Sequence, residues 1–246
     1  MPRANPPQPG PGARLLALDT ATESLAVALV HGERTWLAEE PGGALASSRL
    51  LPLVFDLLAR AELGLSDLDA IAFGRGPGAF TGLRTACSVA QGLAFGAGLP
   101  VLSIDSLAVV AEDAFAQCGA REVGVAMDAR MGEIYAAAYR REGEDWRTVQ
   151  APALWPLAAL AEAWRQDTPA CVAGSALEAF GARLPTGAAQ RVPRPQSRAA
   201  ALAQLAGAAW RHGDGQDAAL ALPLYVRDKV ALTVAERDAA KSAAAA

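Results

Sequence analysis

The chain has 246 residues, enough for one large domain or two small ones whose core needs no disulfide. Apolar residues make up 52% and charged residues 20%, and no apolar run reaches the roughly 20 residues of a membrane span. The net charge is −4, the only lysines are Lys229 and Lys241, and the arginines are scattered, which argues against a protein that grips nucleic acid by its own basic face.

Residues 1–13, MPRANPPQPGPGA, are Pro- and Gly-rich without the apolar segment of a signal peptide; they read as a disordered extension. A buried strand is expected over 14–20, with Asp19 near its end. Two further strands follow over 24–31 and 34–39, with His31-Gly32 at their turn. Then come a helix over 47–63, a short strand over 70–74, a helix over 81–97, a strand over 100–104 and a helix over 106–117. The next stretch resembles the start. EVGVAMD is an apolar strand ending in Asp128, followed by strands over 133–140 and 145–150. LLALDTATESLAVALV and VGVAMDARMGEIYAAAY share a plan: a buried strand, a terminal Asp, a polar turn with a Glu, and another apolar strand. They lie about a hundred residues apart, an internal repeat. Helices over 155–165, 175–183 and 198–212, with a strand over 170–174, complete the second half. The reading is a duplicated α/β fold of the ribonuclease-H-like or actin-like class, with halves at 14–105 and 106–225 and a partly disordered tail at 226–246.

Asp19 and Asp128 are the sharpest candidates for chemistry. Facing each other across a cleft, they could hold a metal–phosphate group through water; equally, each could bond the amides of its own turn. GRGPGAFTGLR follows a strand and opens a helix. Its turn, with Arg75, Gly76, Gly78, Thr81 and Arg84, could present amides and positive charge to an anion, or simply set the helix against the sheet. The helix over 47–63 is apolar over more than the arc a sheet can cover, through Leu50, Leu51, Val54, Phe55 and Leu58. The helix after it carries Gly82, Ala86, Ala90 and Ala94 at four-residue spacing, a ridge that permits close approach. Together these nine residues are expected to form an interface. Cys87, Cys118 and Cys171 form no C-x-x-C pair and read as reduced. His31 and His212 make no metal motif, and no G-x-S-x-G elbow occurs, so neither a His-based metal site nor a serine hydrolase is expected.

The stretches LLALDTATESLAVALV, SRLLPLV, AIAFGRGPGAFTGLRTACSVAQGLAFG, AMDARMGEIYAAAY and PLYVRDKVA resemble, in order and spacing, the TsaB (YeaZ) family. The resemblance covers residues 14 to about 235. It implies an actin-like (ASKHA, Gcp-like) fold and a role in making N6-threonylcarbamoyladenosine at position 37 of tRNAs that read ANN codons; with no targeting signal read in the sequence, the cytoplasm is the expected location. It further implies a non-catalytic subunit that pairs with a catalytic paralogue, TsaD, through the two N-terminal helices. A small ATPase, TsaE, joins the pair; tRNA is met only in the complex, and ATP and the metal are held by the partners. The free chain could be a monomer or a homodimer. Two departures are informative: Ala46 to Leu50 lacks the histidines of the paralogue's metal motif, so no role is assigned there, and Ala173-Gly174-Ser175 has one glycine where actin-like ATPases have a pair, which weakens nucleotide binding by this chain alone. The competing reading is an actin-like ATPase or kinase active in its own right.

Overall fold

The structure, a computed structural model, describes residues 12–227. Most of the N-terminal extension and of the C-terminal tail expected above therefore lies outside the described residues. The first half runs β1 (Arg14–Asp19), β2 (Ser24–His31), β3 (Arg34–Pro41), α1 (Ala46–Arg60), β4 (Ala70–Gly76), α2 (Phe80–Ala97) and β5 (Val101–Asp105). The second runs α3 (Ser106–Cys118), β6 (Glu122–Asp128), β7 (Glu133–Glu142), β8 (Asp145–Pro156), α4 (Leu157–Gln166), β9 (Cys171–Ala173), α5 (Ala176–Phe180), β10 (Gln190–Val192) and α6 (Arg198–His212).

The internal repeat is a repeat of topology. The sheets are ordered β3-β2-β1-β4-β5 and β8-β7-β6-β9-β10, each an antiparallel meander extended by two parallel strands. This is the duplicated α/β, actin-like architecture. Five layers stack in the order α1 and α2, first sheet, α3 and α6, second sheet, α4 and α5. No helix among the described residues is long and apolar enough to cross a membrane.

The pleat sorts side chains by size. Leu16, Leu18, Leu25, Val27 and Leu29 face α1 and α2. Their alternates, Ala17, Ala26 and Ala28, face α6, which answers with Ala199, Ala203 and Ala206. Small residues on both sides let that helix lie close to the sheet. Burial of Leu16, Leu18, Leu25 and Leu29, at ~2 kcal/mol each relative to exposure, makes this face the main apolar anchor of the half.

Three differences from the sequence reading have physical causes. Helix α1 ends at Arg60 rather than residue 63, because Glu62 takes a left-handed backbone (φ 58°). Strand β10, three residues long, was not expected; so short a strand carries no periodicity to read. The second half does not keep to residues 106–225, since α6 packs on the first sheet and residues 218–221 pack on α2. The apolar alanine face of β1 and β2 needs a cover, and α6, a helix distant in sequence, supplies it.

Candidate functional site

The two halves enclose a cleft of about 830 Å³. Its floor is made by the first turns of α3 and α6, through Ser106, Leu107 and Arg198. Its walls are the turns at the sheet ends: Thr22 and Glu23, residues 77–80, residues 127–131, and Gly174 with Ser175.

The candidate anion residues do not converge here. Asp19 is 1% exposed, and its carboxylate accepts from Arg198 Nη2 (2.8 Å) and the Ala21 amide (2.6 Å). Of the two earlier readings, binding its own turn is the one this geometry fits. Asp128 lines the cleft but accepts from the Arg130 amide (2.9 Å) and guanidinium (3.2 Å). Gly78 also lines the cleft; a Cβ there would run into the Ala21 carbonyl, so this glycine permits close approach of the loop to the β1–β2 turn. Gly76 (φ 110°) donates its amide to Ser106 Oγ at 3.1 Å. Arg75 is half-buried, with no hydrogen-bond partner for its Nε among the described residues. Thr81 and Arg84 lie outside the cleft, in a shallow groove on the outer side of α2 with Phe80 and Ser88. The turn thus sets α2 against the sheet, and its two charges are apart, Arg75 half-buried and Arg84 in the outer groove.

The cleft charges are matched in pairs: Arg130 with Glu23, Arg194 with Glu178 (2.7 Å), and Arg227 with Glu133 (2.8 Å). Asp113 accepts the Ser197 amide (2.7 Å) and the Gln196 amide (3.1 Å), which fixes the approach to α6. Beside the floor, burial pushes the Asp105 carboxyl above its usual range, partly offset by the Tyr139 hydroxyl at 2.7 Å and the Leu107 amide. Among the described residues, no three His, Cys, Asp or Glu side chains gather closely enough to hold a metal ion.

The outer face of α1 and α2 is a second candidate. Here the structure corrects which residues can meet a partner. Leu50, Val54 and Leu58 are buried against the first sheet, as are Ala86, Ala90 and Ala94. Gly82 is buried too; a Cβ there would strike the Thr20 carbonyl, and Thr20 Oγ1 donates to Gly82 O at 2.6 Å. The small-residue ridge serves helix-on-sheet packing within the chain. Two of the nine expected residues reach the surface, Leu51 (38% exposed) and Phe55 (50%). Beside them α2 presents Ser88, Gly92, Gly96 and Phe95, the last 79% exposed. A Cβ added at Gly92 or Gly96 would meet nothing within 4 Å. Glycine in the middle of a helix costs about 1 kcal/mol relative to alanine, and nothing among the described residues requires it at residue 92.

The comparisons agree with the topology. The family model for TsaD, tRNA N6-adenosine threonylcarbamoyltransferase, matches residues 44–234. A solved structure titled YeaZ from Pseudomonas aeruginosa is 42% identical, with a TM-score of 0.79 over 87% of this chain and 99% of that one. The chain belongs to the TsaB/YeaZ family. The TsaB protein of Haemophilus influenzae is 49% identical over 129 residues, and that of Escherichia coli is 42% identical over 145. Those alignments take in 52% and 56% of this chain and 54% and 63% of the relatives, so the chain matches little more than half the length of these two TsaB proteins. Both are named for tRNA threonylcarbamoyladenosine biosynthesis.

Several residues that shape both sites were missed in the sequence. Arg198 comes from a distant segment and carries no motif of its own, and Arg227, within the PLYVRDKVA stretch, was given no role. Gly92 and Phe95 could have been found by asking which positions of α2 lie opposite the alanine ridge.

Proposed function

We propose that this chain is the non-catalytic scaffold subunit of the cytoplasmic complex that transfers threonylcarbamoyl to N6 of adenosine 37 in tRNAs reading ANN codons. It pairs with the catalytic paralogue TsaD through the outer face of α1 and α2. TsaE joins the pair, and tRNA is met only in the assembly. ATP and metal belong to the partner subunits.

The observation that carries this reading is the open face with Leu51, Phe55 and Phe95 beside outward glycines at 92 and 96. Solvent-facing apolar side chains next to glycines with free space above them suit the close approach of another helix pair. The charge balance supports the same division of labour, since a chain of net charge −4 has little with which to hold phosphates.

The competing reading, an ATPase active alone, draws on the cleft. It is favoured by the volume and weakened by the occupation of Asp19 and Asp128 with Arg198 and Arg130. The test is reconstitution: threonylcarbamoyl transfer to tRNA by this chain alone, by TsaD with TsaE, and by all three. Activity that needs all three supports the scaffold. Transfer or ATP turnover by the isolated chain would overturn it.

A further inference from the structure

The last described stretch of the chain crosses from one half to the other over the cleft mouth. It begins along α2, where Gln91 Nε2 donates to Ala218 O (2.9 Å) and Cys87 Sγ donates to Ala221 O (3.4 Å). The Leu224 amide donates to Arg75 O (2.7 Å), which brings the segment to the mouth. Tyr225 packs its ring on Phe80, centroids 5.4 Å apart. Its hydroxyl accepts from Arg84 Nε (3.1 Å), and the Arg84 guanidinium lies 3.8 Å over Phe80. Two residues on, Arg227 lands on the second half. It pairs with Glu133 (2.8 Å) and donates to Ala129 O (2.8 Å), with its side chain only 12% exposed.

On the floor side the halves share the packed layer of α3 and α6. That side is apolar and cannot part without losing the core. The mouth is held by polar and aromatic contacts, which can part. Arg130 and Glu23 also bridge it, but both side chains are largely exposed and the pair is screened.

We infer that residues 221–227 are a latch that ties the outer face of α2 to the width of the cleft. Arg84 is the coupling residue. It stands on the outer face, and among the contacts described its side chain touches Phe80 and Tyr225. Anything that draws the guanidinium away from Tyr225 frees the strap whose far end, Arg227, holds the β6–β7 loop. What draws on Arg84 in the assembly rests on the pairing face proposed above. The latch itself does not, so the test uses the isolated full chain.

The experiment is amide hydrogen exchange on the wild type and on Arg227→Gln, Arg84→Met and Tyr225→Phe. Arg227→Gln speeds exchange in residues 129–133 by about five- to ten-fold. Arg84→Met and Tyr225→Phe speed the same loop by roughly two- to five-fold, although the polar and ring contacts given above for these two side chains are with each other and Phe80. Core amides at 15–18 and 123–126 keep wild-type rates and report whether the fold is intact. Should Arg84→Met disturb the core, Tyr225→Phe, which deletes one oxygen, carries the test. Unchanged exchange at 129–133 in Arg227→Gln would overturn the latch. Loosening in Arg227→Gln alone, with effects of the other two confined to α2 and the strap, would overturn the coupling.

Discussion

Positions 90 and 92 of α2 lie two residues apart and should respond in opposite ways to the same substitution. Ala90 has no exposed surface and sits in the core with Ala86, Ala94 and Phe73. Tryptophan there must displace packed atoms, which costs about 1–3 kcal/mol or more in folding stability. Gly92 is exposed, with open space where a Cβ would stand. A Cβ there meets nothing within 4 Å among the described residues, and an exposed side chain restores helix propensity, a gain of a few tenths up to ~1 kcal/mol. Against a partner helix a tryptophan ring there holds the axes apart. A loss of ~1.4–3 kcal/mol there is a ten- to roughly 150-fold weaker complex. Urea denaturation followed by circular dichroism gives the first quantity, and calorimetric titration with TsaD the second. Gly92→Trp should therefore be at least as stable as wild type yet pair poorly. Gly92→Trp that pairs with wild-type affinity would refute the pairing face, and Ala90→Trp that unfolds at the wild-type midpoint would refute the burial argument.

Other consequences follow from buried polar groups. Arg198→Met strands the Asp19 carboxylate and should cost about 3–5 kcal/mol, whereas the double variant Asp19→Asn with Arg198→Met should recover most of it; thermal melts of the four proteins in the cycle decide, and additive losses would argue against a coupled pair. Tyr139→Phe removes a hydroxyl that lowers the Asp105 pKa, which burial has raised. Because the folded state holds this proton more tightly than the unfolded chain, ionising Asp105 costs stability as pH rises from the ordinary aspartate range through the raised value. The deficit of Tyr139→Phe should thus be small in acid and grow to roughly 1.5–3 kcal/mol above that window; a deficit that ignores pH would contradict this. Burial and the neighbouring Cys118 push the Cys171 thiol up to about 12. At pH 7.5 its thiolate fraction is about a thousand-fold below that of a free cysteine, so mass spectrometry after iodoacetamide treatment should find Cys171 unmodified in the native protein and labelled in urea.

The duplicated fold was legible in the chain because both halves use fully buried strands followed by a polar turn, and the pattern recurs. Strands β2 and β6 and helix α6 begin and end where expected, since His31, Asp128 and Gly213 each mark a change of pattern at the boundary. Helix α1 was read as too apolar for one buried face, and Leu51 and Phe55 are the excess. Which face is inner could not be read. Alanine and glycine at four-residue spacing serve helix-on-sheet packing as well as helix-on-helix packing, and only the position of Thr20 beneath Gly82 distinguishes the two. The carboxylate of Asp19 was visible, but its partner lies 179 residues away, and no local pattern encodes a contact of that separation. The sequence by itself therefore determined the repeat and, β10 aside, the element order, which follow from local periodicity and turn chemistry, while the family came from the resemblance of its motif stretches. The tertiary structure alone decided what each polar residue is used for, because burial and ion pairing depend on which distant segments come together.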